Sequence, residues 1–386
     1  MKRIFTTIVL LCSATLAPAQ TQGVSETQIT LGSIQDLSGP IAAHGKQIRF
    51  GMLLRLEEAN AQGGVHGRKL SLQVEDSAYD PKHAVLAAEK LVTQDRIFAM
   101  VGHLGSTNNL AAMPVQFEKN VVNFLPVAPA REMYEPLHRL KYSFLASNYD
   151  QMRHALPRMV ADRGAQRVCV IYQDDEFGID ALRGAEAALA GLRMQLTETT
   201  SYKRGATDFS SQVARMKAAR CDLVALATVI RETIGVIAES RKTGFNPTFL
   251  ATVAAYHELV PKLGGPAMNG LVATMAWQQP YLDDESQPIR FWANKFKTRF
   301  GEDPAIGAIA GYVAIDTFVR AATKAGPKLT TESLIRAMDG LSVPPDIFGG
   351  PALSWNAGKR LGSDASRLSQ IIDGKWKVVS DYLAAP

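Results

Sequence analysis

Residues 97–118 open as Ile97-Phe98-Ala99-Met100-Val101-Gly102-His103-Leu104-Gly105-Ser106-Thr107-Asn108-Asn109 and run on to Glu118. The short apolar run 97–101 reads as a strand. Gly102 and Gly105 break it. Residues 106–118 then follow with helical spacing. Strand, glycine turn and helix form one α/β step. The rest of the chain decides whether that step repeats.

It repeats on both sides. Upstream, 29–34 is a strand. Residues 45–60 carry Ile48, Met52, Leu53 and Leu56 at helical spacing, and Gly63-Gly64 stops that helix. Strand 69–75 precedes a helix opened by Asp80-Pro81, an N-cap followed by proline at the first helical position. Strand 121–125 closes the first series. After about residue 148 the alternation restarts, with helices at 151–163, 180–190, 209–219 and 232–243. Strands at 167–172, 195–202, 222–228, 248–252 and 271–276 lie between and after them. Residues 288–324 are mostly helical, clearest at 311–322. Short strands at 352–355 and 370–379 follow, around turns such as Asn356-Ala357-Gly358 and Asp373-Gly374. Alternating strands and helices imply parallel sheets covered on both faces. Two such series predict two doubly wound α/β domains. Such sheets bind ligands at the carboxyl ends of their strands, so the loops after each strand are the places to search.

The chain of 386 residues begins Met1-Lys2-Arg3, then runs apolar over 4–16 and reaches Ala17-Pro18-Ala19. Charge, apolar core and small-x-small site predict a secretory signal peptide over 1–19. Leu11 before Cys12 argues against a lipid anchor there, because such a site wants a small residue. No later stretch reads as a membrane span. Removing 1–19 lowers Lys plus Arg from 42 to 40 against 37 acidic residues, leaving a net charge near +3. That weak, unclustered surplus does not suggest nucleic acid. Cys169 and Cys221 remain. Export permits a disulfide, but their apolar settings favour two buried free thiols.

Four loops carry the chemistry. The loop 102–109 ends at a helix N-terminus, which suits an anion. Leu104, Ser106 and Thr107 either cradle a carboxylate there or Ser106 is an ordinary N-cap. Val127, Ala128 and Pro129, after strand 121–125, form either an apolar wall with free carbonyls or a stiff connector. Asp174-Asp175-Glu176 invites a metal, but calcium loops spread their ligands along a turn. A solvated loop with Phe177 aimed into a cleft fits better, and no metal is expected. His44, after the first strand, either donates a hydrogen bond into a cleft or sits at the surface. His103, His138, His154 and His257 lack metal-ligand spacing and read as structural or surface residues. No Gly-x-Gly-x-x-Gly after the first strand, P-loop or Gly-x-Ser-x-Gly elbow occurs.

These features together resemble the periplasmic leucine/isoleucine/valine-binding protein family of ABC transporters over nearly the whole mature chain. The matching residues include Ile29-Thr30-Leu31-Gly32, Leu37-Ser38-Gly39-Pro40, 60–68 (Asn-Ala-Gln-Gly-Gly-Val-His-Gly-Arg), Asp76 and Tyr79-Asp80-Pro81. They continue with Val101-Gly102-His103, Pro126, Tyr172, Phe177-Gly178 and Asp208-Phe209-Ser210. The resemblance implies a type I periplasmic-binding (Venus-flytrap) fold: two doubly wound parallel-sheet lobes on a three-segment hinge. Lobe 1 would hold 24–146 and 279–355, and lobe 2 147–278 and 356–386. Crossovers would fall near 146–148, 277–281 and 354–356. It implies ligand binding without catalysis or cofactor, with Ser106 holding a carboxylate.

On the amino-group side this chain departs from the family. Pro129 stands where a Thr is common, Phe177 where a Tyr is common, and no acid lies near Thr252–Val253. A buried ammonium would lack its charge partner. The expected ligand is therefore a small aromatic or aliphatic carboxylate without an α-ammonium. His44, Tyr149, Thr252 and Tyr256 are further candidate contacts. The expected protein is a monomeric periplasmic solute-binding component that delivers its ligand to an ABC permease. Branched-chain amino acid binding, a periplasmic ligand sensor and an exported α/β enzyme are the alternatives. No acid, base and nucleophile can be assembled here for the enzyme.

Overall fold

Five parallel strands form the first sheet: β1 (Gln28–Gln35), β2 (Lys69–Asp76), β3 (Ala99–Val101), β4 (Val122–Phe124) and β5 (Lys141–Tyr142), ordered β2-β1-β3-β4-β5. The computed structural model describes residues 21–383; the expected signal peptide, 1–19, lies outside the described residues. β3 and β4 are buried along their full length, as parallel strands covered on both faces must be. Helices α1 (Ala42–Ala61), α2 (Pro81–Glu89) and α3 (Ser106–Glu118) alternate with these strands. Asp80 caps α2 by accepting from the Lys82 and His83 N–H groups.

The second sheet has seven strands. Five are parallel: β6 (Val168–Gln173), β7 (Glu198–Tyr202), β8 (Leu223–Ala227), β9 (Thr248–Ala251) and β10 (Val272–Met275). Helices α4 (Asn148–Arg163), α5 (Glu176–Gly191), α6 (Ser210–Ala218), α7 (Ile230–Lys242) and α8 (Leu259–Gly264) accompany them. α5 begins four residues before its expected start because the Asp175 side chain caps it, accepting from Gly178 N–H.

After β10 come α9 (Gln287–Phe300), α10 (Ile306–Ala325) and α11 (Thr331–Met338). α11 was not expected from apolar periodicity; a capping box between Thr330 and Ser333 starts it. The short pair β11 (Ser342–Val343) and β12 (Leu353–Ser354) follows. The chain then adds β13 (Arg367–Ile372) and β14 (Lys375–Val378) to the second sheet as an antiparallel hairpin, giving the order β14-β13-β10-β9-β8-β6-β7. Its turn is Asp373-Gly374, both with positive φ, as a tight hairpin requires. The purely parallel sheet expected of this half therefore has an antiparallel edge.

α10 returns from the second sheet to pack along α1. The approach is so close that a Cβ at Gly51 would collide with the Ala308 carbonyl, and one at Gly311 with the Ile48 carbonyl. By length and composition α10 is apolar enough to cross a membrane, contrary to the sequence reading. Its residues are mostly buried inside the protein, and it is a core helix.

Cys169 and Cys221 are joined in a disulfide with Cα atoms 5.9 Å apart. This corrects the expectation of free thiols. Both residues are buried in neighbouring parts of the second sheet: β6 pairs with β8 in register from Val168↔Leu223, and Cys221 lies two residues before β8. Apolar surroundings, which suggested free thiols, suit a buried disulfide equally well.

Candidate functional site

The two sheets wind alike. In the first, β2 and β3 flank β1 on opposite sides; in the second, β7 and β8 flank β6. Each sheet thus has a topological switch point, beside β1/β3 and β6/β8, where the crevice at the strand ends binds ligands. The two crevices share one cavity. Ile41 and His44 follow β1, and Leu104, Gly105 and Ser106 follow β3. Phe177 follows β6 and Val229 follows β8. Val127 and Pro129 after β4, and Val253 and Ala254 after β9, close the sides. The cavity is tight, about 80 Å³ in volume, below the rough 300–1,000 Å³ range of drug-sized ligand sites.

The lining contains no Asp, Glu, Lys or Arg. Several of its polar groups already have partners. The Trp277 Nε1–H donates to Asp346 Oδ2 at 2.8 Å. The Tyr79 hydroxyl accepts from Gln173 Nε2 at 3.3 Å. His44 Nε2 lies 3.1 Å from the Ala254 carbonyl; a carbonyl can only accept, so the ring donates. The hydrogen bond expected from His44 into the cleft is therefore made to the opposite wall. Burial lowers the pKa of His44 to about 4, so the ring is neutral near pH 7. The buried His257 ring packs edge-on against it, with centroids 4.8 Å apart.

The start of α3 is different. Its N-cap is Gly105, at φ 94°, a conformation that suits a residue without Cβ. Ser106 is thus the first helical residue rather than the cap. No side chain caps α3, so its first N–H groups are the unpaired donors of a helix N-terminus. The Ser106 hydroxyl is buried with no hydrogen-bond partner. The loop is held rigidly. Leu104 N–H donates to the Ile34 carbonyl, and Gly105 N–H to the Val127 carbonyl. Asn109 Nδ2 donates to the carbonyls of His103 and Gly105 at 2.9 and 2.8 Å. A helix N-terminus with a free hydroxyl, facing an otherwise apolar chamber, can hold one anionic group.

Of the residues expected at the site, His44, Leu104, Ser106, Val127, Pro129 and Phe177 line the cavity. Five do not. Thr107 points across to α5 and donates to Glu176 Oε2 at 2.8 Å. Ala128 is buried among Met113, Ala130 and Met133. The Tyr149 ring lies under the Arg131 guanidinium at 4.1 Å, and its N–H donates to Asp180. Thr252 is fully buried behind Val253. Tyr256 is buried against Trp376, and its hydroxyl accepts from the Gln279 N–H at 2.8 Å.

The three acids at 174–176 turn to different partners: Asp174 to Lys203, Asp175 to Arg204 at 2.8 Å and Glu176 to Thr107. Among the described residues no group of three or more His, Cys, Asp or Glu could hold a metal.

Several lining residues escaped the sequence reading: Tyr79, Leu145, Val229, Trp277 and the α10 residues Ile306, Gly307 and Ala310. Val229 directly follows a predicted strand at a switch point, so the strand-end rule could have found it. The α10 residues reach the cavity only through the α1–α10 packing.

Two open α/β sheets closing on one chamber define a ligand-binding protein of the type I periplasmic-binding fold. A family model described as periplasmic binding protein matches residues 28–375, and the chain belongs to that family. These are non-enzymatic solute-binding proteins that work with ABC permeases. The Leu/Ile/Val-binding protein of Escherichia coli (strain K12) is 26% identical over 246 residues, covering 64% of this chain and 67% of that protein. Many solved structures share the fold. A fatty acid ABC transporter substrate-binding protein from Thermomonospora curvata has a TM-score of 0.83 and 22% identity, covering 95% of both chains. A solute-binding protein from Rhodopseudomonas palustris BisB5, in complex with 3,4-dihydroxy benzoic acid, has a TM-score of 0.81 and 21% identity, covering 94% of this chain and 98% of that one.

Proposed function

We propose that this protein binds a small carboxylate with an apolar aromatic or aliphatic body and no α-ammonium, and delivers it to an ABC permease. The observation that carries this reading is the contrast within the cavity. One free anion-binding position lies at Ser106 and the N-terminus of α3, and no acidic side chain lines the walls. An α-ammonium there would be stripped of water without a charge partner, at a cost of several kcal/mol. Phe177, Leu104, Ile41 and Val229 instead offer hydrocarbon surface. The names of the fatty acid and dihydroxybenzoate proteins lend support. The Leu/Ile/Val-binding relative favours a second reading, branched-chain amino acid binding.

Residues 1–19 act as the export signal, and the mature protein works in the periplasm as a monomer. Lobe 1 comprises 24–146 and 279–355, and lobe 2 comprises 147–278 and 356–386. Ligand held by Ser106 gains the opposite wall only when the lobes close, so binding shifts the population to the closed form. The test is a thermal-shift screen of protein unfolded and refolded to remove any bound ligand. Aromatic and aliphatic acids should raise the melting temperature. A shift with leucine and none with acids would return the protein to amino acid binding.

A further inference from the structure

Trp277 stands where the ligand cavity meets the chain's passage between the two sheets. It follows β10 within two residues, is buried, and lines the cavity. Its ring tilts against Phe144, centroids 5.4 Å apart, on the segment that leaves β5. Its Nε1–H goes to Asp346 Oδ2 at 2.8 Å, in the loop before β12. The other Asp346 oxygen accepts from the Phe348 and Gly350 N–H groups, each at 2.9 Å. Gln278 N–H donates to the Phe348 carbonyl at 3.0 Å, docking this loop on the residue next to Trp277. A Cβ at Gly350 would collide with the indole nitrogen, so the loop closes directly over the ring.

A buried indole N–H without an acceptor is costly, because it loses its hydrogen bond to water and gains none. Among the possible settings of the ring, the one that meets Asp346 is therefore selected. The indole lines the cavity, and Asp346, which does not, holds it from outside. We infer that Asp346 is a positioning residue that fixes Trp277 as a wall of the site and so limits the size of the apolar body the site accepts. This inference rests on the carboxylate reading given above.

The test uses straight-chain acids from butanoate to decanoate, titrated calorimetrically into the refolded protein, Asp346→Ala, Trp277→Phe and the double variant. The wild type should bind the shorter acids and reject the longer ones. Asp346→Ala should change the ratio of octanoate to butanoate affinity by about tenfold or more in favour of octanoate. Trp277→Phe should do the same, and the double variant should add nothing, because Asp346 acts through the indole. If Asp346→Ala does not fold, Asp346→Asn serves; its amide can turn a donor toward the indole while its oxygen still accepts from the loop. A lower melting temperature with an unchanged affinity ratio would leave Asp346 a merely structural residue and overturn the inference. Wild-type protein that binds none of the acids would remove the carboxylate reading itself, and this inference with it.

Discussion

Ser106 carries the anion-binding argument. Its hydroxyl is buried and unpartnered at the start of an uncapped helix. A hydrogen bond to a charged group is worth about 1.5–3 kcal/mol. Ser106→Ala should therefore raise the Kd for a bound acid roughly ten- to hundredfold while leaving unfolding by urea little changed; calorimetry checks the first and denaturation the second. His44 supplies a pH prediction. Its pKa is about 4 in the fold against an ordinary value of 6.5, so between these values the unfolded chain holds the extra proton. Stability from this group is complete above pH 6.5 and is lost as the pH falls toward 4, by roughly 3 kcal/mol. Denaturation across that range should show a steeper acid loss in the wild type than in His44→Gln. The sequence placed His44, Ser106 and Phe177 at the cavity because each lies just beyond a strand. Tyr149 and Tyr256 were further candidates, but position in the chain does not fix a side chain's direction: one tyrosine faces Arg131 and the other Trp376.

At the scale of elements, strand and helix order was readable because the chain alternates regularly. The α1–α10 contact was not, since it joins segments some 260 residues apart in sequence and leaves only glycines as its trace. Gly311→Val should force these helices apart, costing about 1–3 kcal/mol and weakening ligand binding as Ala310 and Gly307 shift at the cavity wall. Urea denaturation and calorimetry read both effects. The disulfide was missed because apolar neighbours mark buried cysteines whether paired or free. It closes a loop with a sequence separation of 52. Its removal by a Cys169→Ser, Cys221→Ser pair should cost about 4 kcal/mol on the chain-entropy model, seen as a lower urea midpoint; an unchanged midpoint would mean the bond does not constrain the unfolded chain.

For the whole molecule, the described form is held shut by contacts between elements of the two sheets: His44 with Ala254, Thr107 with Glu176, and Arg204 over the Tyr79 ring at 4.3 Å. Each is modest alone, so on the closure mechanism proposed above ligand burial would tip the balance between open and closed forms. The central claim is that the chamber accepts a carboxylate and has no place for an α-ammonium. Leucine and 4-methylpentanoate differ only by that group. Calorimetric titration of ligand-free protein with this matched pair tests the claim most directly. Binding of 4-methylpentanoate at least about tenfold tighter than leucine is the predicted result; leucine binding more tightly than its amine-free counterpart would contradict it.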